Sequence, residues 1–343
     1  MLKIAIIVAC GLSLLHVSAF AQSEHKIVCI GFYNFENLFD TEDDSLTNDS
    51  EFTPNGINHY TEVIYREKLN HLSEVVSQLG TETTPDGVAL LGTAEIENRK
   101  VLEDFVAQPK VRDRKYKIVH YDSRDSRGID VALLYQEKYF RYDSSRILPM
   151  PTYIDGSDTS YSRDILVVYG LMDGERVCIT VNHWPSRRGG ESATAPLRNQ
   201  AAQINKRIVD ANTEAGVKTI MMGDLNDDPV NMSVKAILHA KTNPDKLSTT
   251  EMYNPMYDFY KRGIGTTAYR DAWSLFDQII VSSNLVGDED GYRFYRAHVF
   301  NEPFLIQKMG QYKGYPFRTF AGNTYIGGYS DHFPVYIFLV KKA

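Results

Sequence analysis

Asp224 and Asn226 stand two apart in the segment Met222–Pro229. On extended backbone that spacing sends both side chains to one side, so a carboxylate and an amide converge on one point. A carboxylate so placed can take a proton from water, and an amide can donate to a phosphoryl oxygen. The same residues also suit an acidic turn, because Gly-Asp and Asn-Asp-Asp-Pro are ordinary turn chemistry. What lifts them above that reading is recurrence. Asn34 and Glu36 repeat the spacing, Glu95 and Glu97 follow another apolar run, and His183, Asp277 and Asp331-His332 each border one. Acids just past a buried strand are placed to hold a hard cation, although Glu95 and Glu97 also suit the first turn of a following helix. Asp277 interrupts an apolar run, which is costly without a His or an ion as partner. Asp331-His332 reads either as a turn or as one half of an Asp–His dyad.

Apolar patterns define the elements that must carry these groups. Strands are predicted over 26–35, 88–91, 116–121, 129–135, 217–222, 276–281 and 335–340, with a hairpin of 165–172 and 175–181 around Asp173-Gly174. Helical spacing of Leu69, Leu72, Val76 and Leu79 predicts a helix over 61–79 that Gly80 ends, and a second long helix is predicted over 194–215. A short helical segment follows over 100–107. Residues 40–58 read as a loop, and residues 291–329, rich in Tyr, Phe and Gly, as surface loops rimming the site.

Residues 1–21 have a positive start, an apolar stretch and the end Ala19-Phe20-Ala21, the pattern of a secretory leader. Cys10 is preceded by too few residues for a lipoprotein acylation box of ordinary length, so an exported protein, periplasmic or extracellular, is expected. No later run is long enough to span a bilayer. Losing Lys3 with the leader takes the formal charge from −7 (37 minus 44) to −8 (36 minus 44). That balance speaks against a protein held on nucleic acid mainly by counterion release, unless a metal supplies the local positive field. Cys29 and Cys178 sit in strand-like runs and read equally as a disulfide or as two buried thiols. Without a linker or repeat, residues 22–343 are read as a single domain, expected to be monomeric.

On Asn34, Glu36, Glu95, His183, Gly223-Asp224-Leu225-Asn226, Asp277 and Ser330–Pro334, the chain resembles the endonuclease/exonuclease/phosphatase superfamily from Asn34 to Pro334. The resemblance implies an α/β fold, a four-layer sandwich of two mixed β-sheets face to face flanked by helices, with the site at one mouth. It also implies roles. Asn34 orients the site and meets substrate; Glu36, Glu95 and Asp331 belong to the metal. His183 contacts phosphate and protonates the leaving group, Asp224 activates water, Asn226 binds phosphate, and Asp277 orients His332. Oxygen ligands without a Cys set favour Mg²⁺, with Mn²⁺ as a substitute. The expected reaction is in-line attack of water on a phosphoester, with His332 acting as base or as charge-bearing donor. Glu95 and His332 are both expected to be partly exposed, so that replacing either would cost little stability. For substrate, Arg127, Arg187 and Arg198, with Arg124, Arg188 and Trp184 near them, read first as a track for a nucleic-acid backbone and hence a nuclease. The alternative is a phosphatase or phosphodiesterase acting on a lipid head group or small organic phosphate, in which the arginines clamp one phosphate. A binding-only protein is disfavoured by the complete residue set.

Overall fold

The computed structural model describes residues 25–152, 160–287 and 290–343. The leader assigned to residues 1–21, with Cys10, lies outside them. Alternation along the first strand, β1 (His25–Leu38), sets the order of layers. Val28, Ile30 and Phe32 join one apolar cluster, whereas Cys29, Tyr33 and Phe35 join another on the opposite face, as a period of two requires. The chain continues through β2 (Val88–Ile96), β3 (Lys117–His120), β4 (Asp130–Tyr135), β5 (Arg141–Thr152), β6 (Ser160–Met172), β7 (Glu175–His183) and β8 (Lys218–Asp224). Short strands β9 (Ala240–Lys241), β10 (Met252–Tyr253), β11 (Thr267–Tyr269) and β12 (Ala272–Ser274) lead to β13 (Asp277–Ser282) and β14 (Arg293–Val299). A small ribbon, β15 (Phe320–Ala321) and β16 (Thr324–Tyr325), precedes the last strand, β17 (Val335–Lys342). The helices that matter for layering are α1 (Glu62–Gln78), α2 (Arg99–Val106) and α3 (Glu191–Glu214).

One sheet runs β14-β17-β1-β2-β4-β3 and the other β5-β6-β7-β8-β13-β10-β9. Each mixes directions: β1 is parallel to β2 and antiparallel to β17, and β7 is parallel to β8, which is antiparallel to β13. Phe32, Leu90 and Leu133 of the first sheet meet Ile179, Ile220 and Met222 of the second in a shared core. Leu69, Leu72 and Val76 of α1 and Phe105 of α2 cover the outer face of the first sheet. Ala201, Ala202 and Val209 of α3 cover that of the second. The result is the expected four-layer order of helix, sheet, sheet, helix. Gly80, at a φ of 75°, ends α1 in the left-handed conformation that glycine adopts without a Cβ penalty.

One expectation changes, one strand is new, and one alternative is decided. Within 291–329, Arg293–Val299 is not loop but the edge strand β14, paired along β17; its residues are half-buried on both faces, so no alternation marks it. β5 is a second edge strand without sequence warning, because half of its residues are exposed and only two are buried. Cys29 and Cys178 are free buried thiols in different layers, not a disulfide. Among the described residues no helix is long and apolar enough to cross a membrane.

Candidate active site

The site is the polar continuation of the core between the sheets. Counting in steps of two along each strand, Phe32 is followed by Asn34, Val181 by His183 and Met222 by Asp224, while Asp277 precedes Ile279. Each polar group is thus the next inward position after the last apolar one. Register does the rest: Asp224 lies opposite His183 on one side and Asp277 on the other. Gly223 is required by the same closeness, since a Cβ there would strike the carbonyl oxygen of Asn182 on β7.

The first sheet delivers its acids differently. The β1–β2 register breaks between Asn34 and Leu38, and the β2–β4 register breaks between Ala94 and Ile96. At these bulges Glu36, Asn37 and Glu95 have φ of 50°, 52° and 58°, and Asn226 past β8 has 49°. Left-handed backbone costs a side-chain-bearing residue roughly 1–2 kcal/mol. Local hydrogen bonds hold it: the Glu36 N–H donates to Asn34 Oδ1 (2.9 Å), that of Asn37 to Glu95 Oε2 (3.1 Å) and that of Asn226 to Asp224 Oδ1 (2.9 Å). The bulges re-aim side chains that a regular strand would have sent elsewhere.

Asn34 Nδ2 bridges the two sheets, 3.1 Å from Asp224 Oδ2 and 3.3 Å from Glu95 Oε1. His183 Nε2 lies 3.7 Å from both of those carboxylates. His332 Nδ1 is 2.7 Å from Asp277 Oδ2, and its Nε2 is 3.8 Å from Asp224 Oδ2 and 3.9 Å from Asp331 Oδ1. Ser330 Oγ fastens this turn to β1, donating to the Asn34 carbonyl at 2.7 Å while accepting from the His332 N–H at 3.1 Å.

Burial pushes the Asp224 carboxyl up to about 7, with nearby His332 pulling the other way. For His332 burial opposes the charge, but the Asp277 and Asp224 carboxylates overcome it and hold the imidazole well above its usual value. His183 is the opposite case: burial first, then the Arg163 guanidinium, depress it well below the usual histidine value. The depression runs against His183 as proton donor to the leaving group, whereas the raised His332 favours the protonated imidazole. His332 is also not partly exposed as expected; it is buried against Asp277, whose exposure is 0%.

Ligand atoms of Glu95, His183 and Asp224 lie within 4.8 Å of one another, as do those of Asp224, Asp277 and His332. Among the described residues Glu36 and Asp331 join neither group, so the predicted set of Glu36, Glu95 and Asp331 is not one tight cluster here. The cause is visible: Glu36 Oε2 accepts the Thr319 N–H at 2.7 Å, and Asp331 faces Arg318 at 3.8 Å. Burial and then Asp331 push Glu36 up to about 7, with Lys68 opposing. Lys68 Nζ, itself 1% exposed, donates to Thr319 Oγ1 at 2.6 Å. Carboxylates crowded in this way beside one buried ammonium meet the electrostatic condition that a hard divalent cation satisfies, and the oxygen donors of Glu36, Glu95 and Asp331 fit such an ion.

Two predicted substrate contacts are corrected. Arg198 is 0% exposed, with Nε 2.7 Å from Asp227 Oδ1 and Nη2 donating to the Glu191 carbonyl. Arg187 Nε donates to the Asn226 carbonyl at 2.9 Å, while its Nη2 meets Asp227, Asp228 and Asn231. Both shape the turn that presents Asn226; Arg198 has no free face, and Arg187, 23% exposed, spends its nitrogens on that turn and on Glu191. Trp184 is buried in the α3 cluster. Arg127, by contrast, stands with Arg188 and Arg318 around a pocket of about 300 Å³ that shares Glu36 and Asp331 with the site. Sequence reading missed Arg163, which donates to the Trp184 carbonyl at 2.7 Å and pairs with Asp125 at 3.3 Å. It missed Lys68, Arg318 and Thr319 as well. None of these stands beside an apolar run in a way that marks it.

A model of the endonuclease/exonuclease/phosphatase family matches residues 29–341. Solved structures with the same arrangement include a humanized D. rerio TDP2, 13% identical over 91% of this chain and 98% of that one, with a TM-score of 0.55. An endonuclease/exonuclease/phosphatase family protein from Bacteroides thetaiotaomicron is 15% identical over 93% and 100%, with a TM-score of 0.54. A mannosyl-6-phosphatase from the same organism is 14% identical over 91% and 99%, with a TM-score of 0.53. At these identities the likeness is one of fold. No curated protein matches the sequence.

Proposed function

This chain belongs to the endonuclease/exonuclease/phosphatase family, whose members are metal-dependent phosphoester hydrolases, and we propose that it is an exported, Mg²⁺-dependent phosphoesterase acting on compact phosphoesters. The observation that carries the choice of substrate is the shape of the basic surface. Arg187 and Arg198 are spent on internal pairs, and what remains beside the site rings a pocket of about 300 Å³. A pocket of that size suits a small ligand better than a long backbone track. The leader-like residues 1–21 support export.

A divalent cation held by Glu95 with Glu36 and Asp331 would neutralise phosphoryl charge and lower the pKa of water. The chain's own groups supply the rest. Asp224, with its pKa near neutrality, takes the proton of the attacking water. Asp277 keeps His332 protonated and oriented, so that its Nε2–H faces the developing negative charge. One hydrogen of the Asn226 amide is fixed on the Trp184 carbonyl at 2.9 Å, which orients the other toward phosphate. His183 contributes a neutral hydrogen bond, and Asn34 keeps Glu95 and Asp224 at their separation.

A nuclease is the second reading, favoured by the fold likeness to a D. rerio TDP2 solved with a single-strand DNA product. One assay separates the two. Purified protein with Mg²⁺ should hydrolyse p-nitrophenyl phosphate and sugar phosphates while leaving plasmid and single-stranded DNA intact. Cutting of DNA with no turnover of the small esters would overturn the compact-substrate reading.

A further inference from the structure

Arg127, Arg188 and Arg318 surround one pocket next to the reacting centre, and of the three only Arg318 reaches an acid that a cation would take, Asp331 at 3.8 Å. Arg127 Nε reaches Asp125 only at 3.4 Å and is 44% exposed. Arg318 stands 3.8 Å from Asp331 and keeps a buried Nε without a hydrogen-bond partner. The exposed Arg188 has no side-chain hydrogen bond or ion pair among the described residues. Asn48, Asn58 and Asn323 line the same pocket, together with the acids Glu36, Glu51 and Asp331. Guanidinium groups offer planar forks of donors that match a phosphate oxygen pair, and amides match hydroxyls.

We propose that this pocket is a specificity subsite for a second phosphate, so that the preferred substrates are small polyols bearing two phosphate groups. One phosphate lies at Asp224 and His332, and the other is received by Arg127, Arg188 and Arg318. The inference rests on the compact-substrate reading above. The pocket, about 300 Å³, lies at the small end of the usual range for ligand sites, ~300–1,000 Å³, which suits a phosphate on a sugar-sized body.

Binding to an Asp224→Asn variant, which lacks the base, separates recognition from turnover. Calorimetry should find fructose 1,6-bisphosphate about tenfold or more tighter than fructose 6-phosphate, the size of a charge-assisted contact. Adding Arg188→Ala, which removes an exposed side chain without a partner, should erase most of that advantage, and Arg318→Gln should do the same. Equal affinity for the two sugars, or equal weakening of both by Arg188→Ala, would overturn the subsite. So would an oligonucleotide whose binding depends on Arg188 when that of the bisphosphate does not. The compact-substrate reading stands or falls separately, on turnover of fructose 6-phosphate by the wild-type protein.

Discussion

The two sheets build their halves of the site by different means. On the second sheet, His183, Asp224 and Asp277 occupy regular extended positions fixed by strand register, and the Asp277–His332 pair is buried at 2.7 Å. On the first, Glu36 and Glu95 depend on left-handed bulges, with backbone strain held by hydrogen bonds to neighbouring side chains and amides. The second half is therefore bound up with stability, whereas the first spends stability to aim its acids. Substitutions should feel that difference.

The largest effect is expected from His332→Ala, which leaves Asp277 buried without its partner. Turnover should fall about 10³-fold or more, and the fold should lose about 3–5 kcal/mol in urea titration. Glu95→Gln should cost turnover on a similar scale, yet only about 1 kcal/mol of stability, because its amide oxygen can still accept from either Asn34 or Asn37 and the position is partly exposed. Equal stability losses in the two variants would erase the distinction.

Next in size is the steric contact at Gly223. Gly223→Ala should destabilise by about 1–3 kcal/mol, because the added methyl meets backbone rather than a side chain that can move. Comparing Ala with Gly at one position isolates the backbone term. At Glu36 and Glu95, Gly should be more stable than Ala by about 1 kcal/mol, whereas at Asp224 and Asp277, on extended strand, Ala should be the more stable of the two.

The smallest effect expected is one of pH. Asp224 and Glu36 are pushed up to about 7 by burial, so the folded state binds protons that the unfolded chain has already released. Stability of the metal-free protein should then fall as pH rises from about 4 toward 7, and divalent cation should recover part of the loss. Thermal melts at both pH values, with and without Mg²⁺, check this. Turnover should move the other way on its acid side, rising with pH as Asp224 loses its proton near 7 and holding while His332 stays protonated.

The same contrast explains what the sequence disclosed. Alternating apolar strands ending in Asn34, His183 and Asp224 carry their own geometry, because a period of two places the next polar residue at the mouth between the sheets. The strands were legible for that reason and the first helix from the spacing of Leu69, Leu72 and Val76, whereas the four-layer order followed from the family resemblance. The bulges were not. Nothing in Gly92–Asn98 announces that Glu95 leaves the pleat, and Glu36 is drawn to Thr319 across 283 positions of chain. Edge strands β5 and β14 lacked a buried face to imprint a pattern. Arg187 and Arg198 misled because a basic, Gly-rich loop advertises anion binding, while their acidic partners Asp227 and Asp228 belong to the very turn they support.

Central to the mechanism is that Glu36, Glu95 and Asp331, all carried by the first sheet, serve one hard cation on which hydrolysis at Asp224 and His332 depends. Its most direct test is Mg²⁺ titration of chelator-treated protein by calorimetry, with turnover of p-nitrophenyl phosphate followed alongside. Binding should restore turnover and raise the melting temperature, and Glu95→Gln should weaken affinity about tenfold or more. Full turnover in the presence of chelator, or a Mg²⁺ affinity indifferent to Glu95, would contradict it.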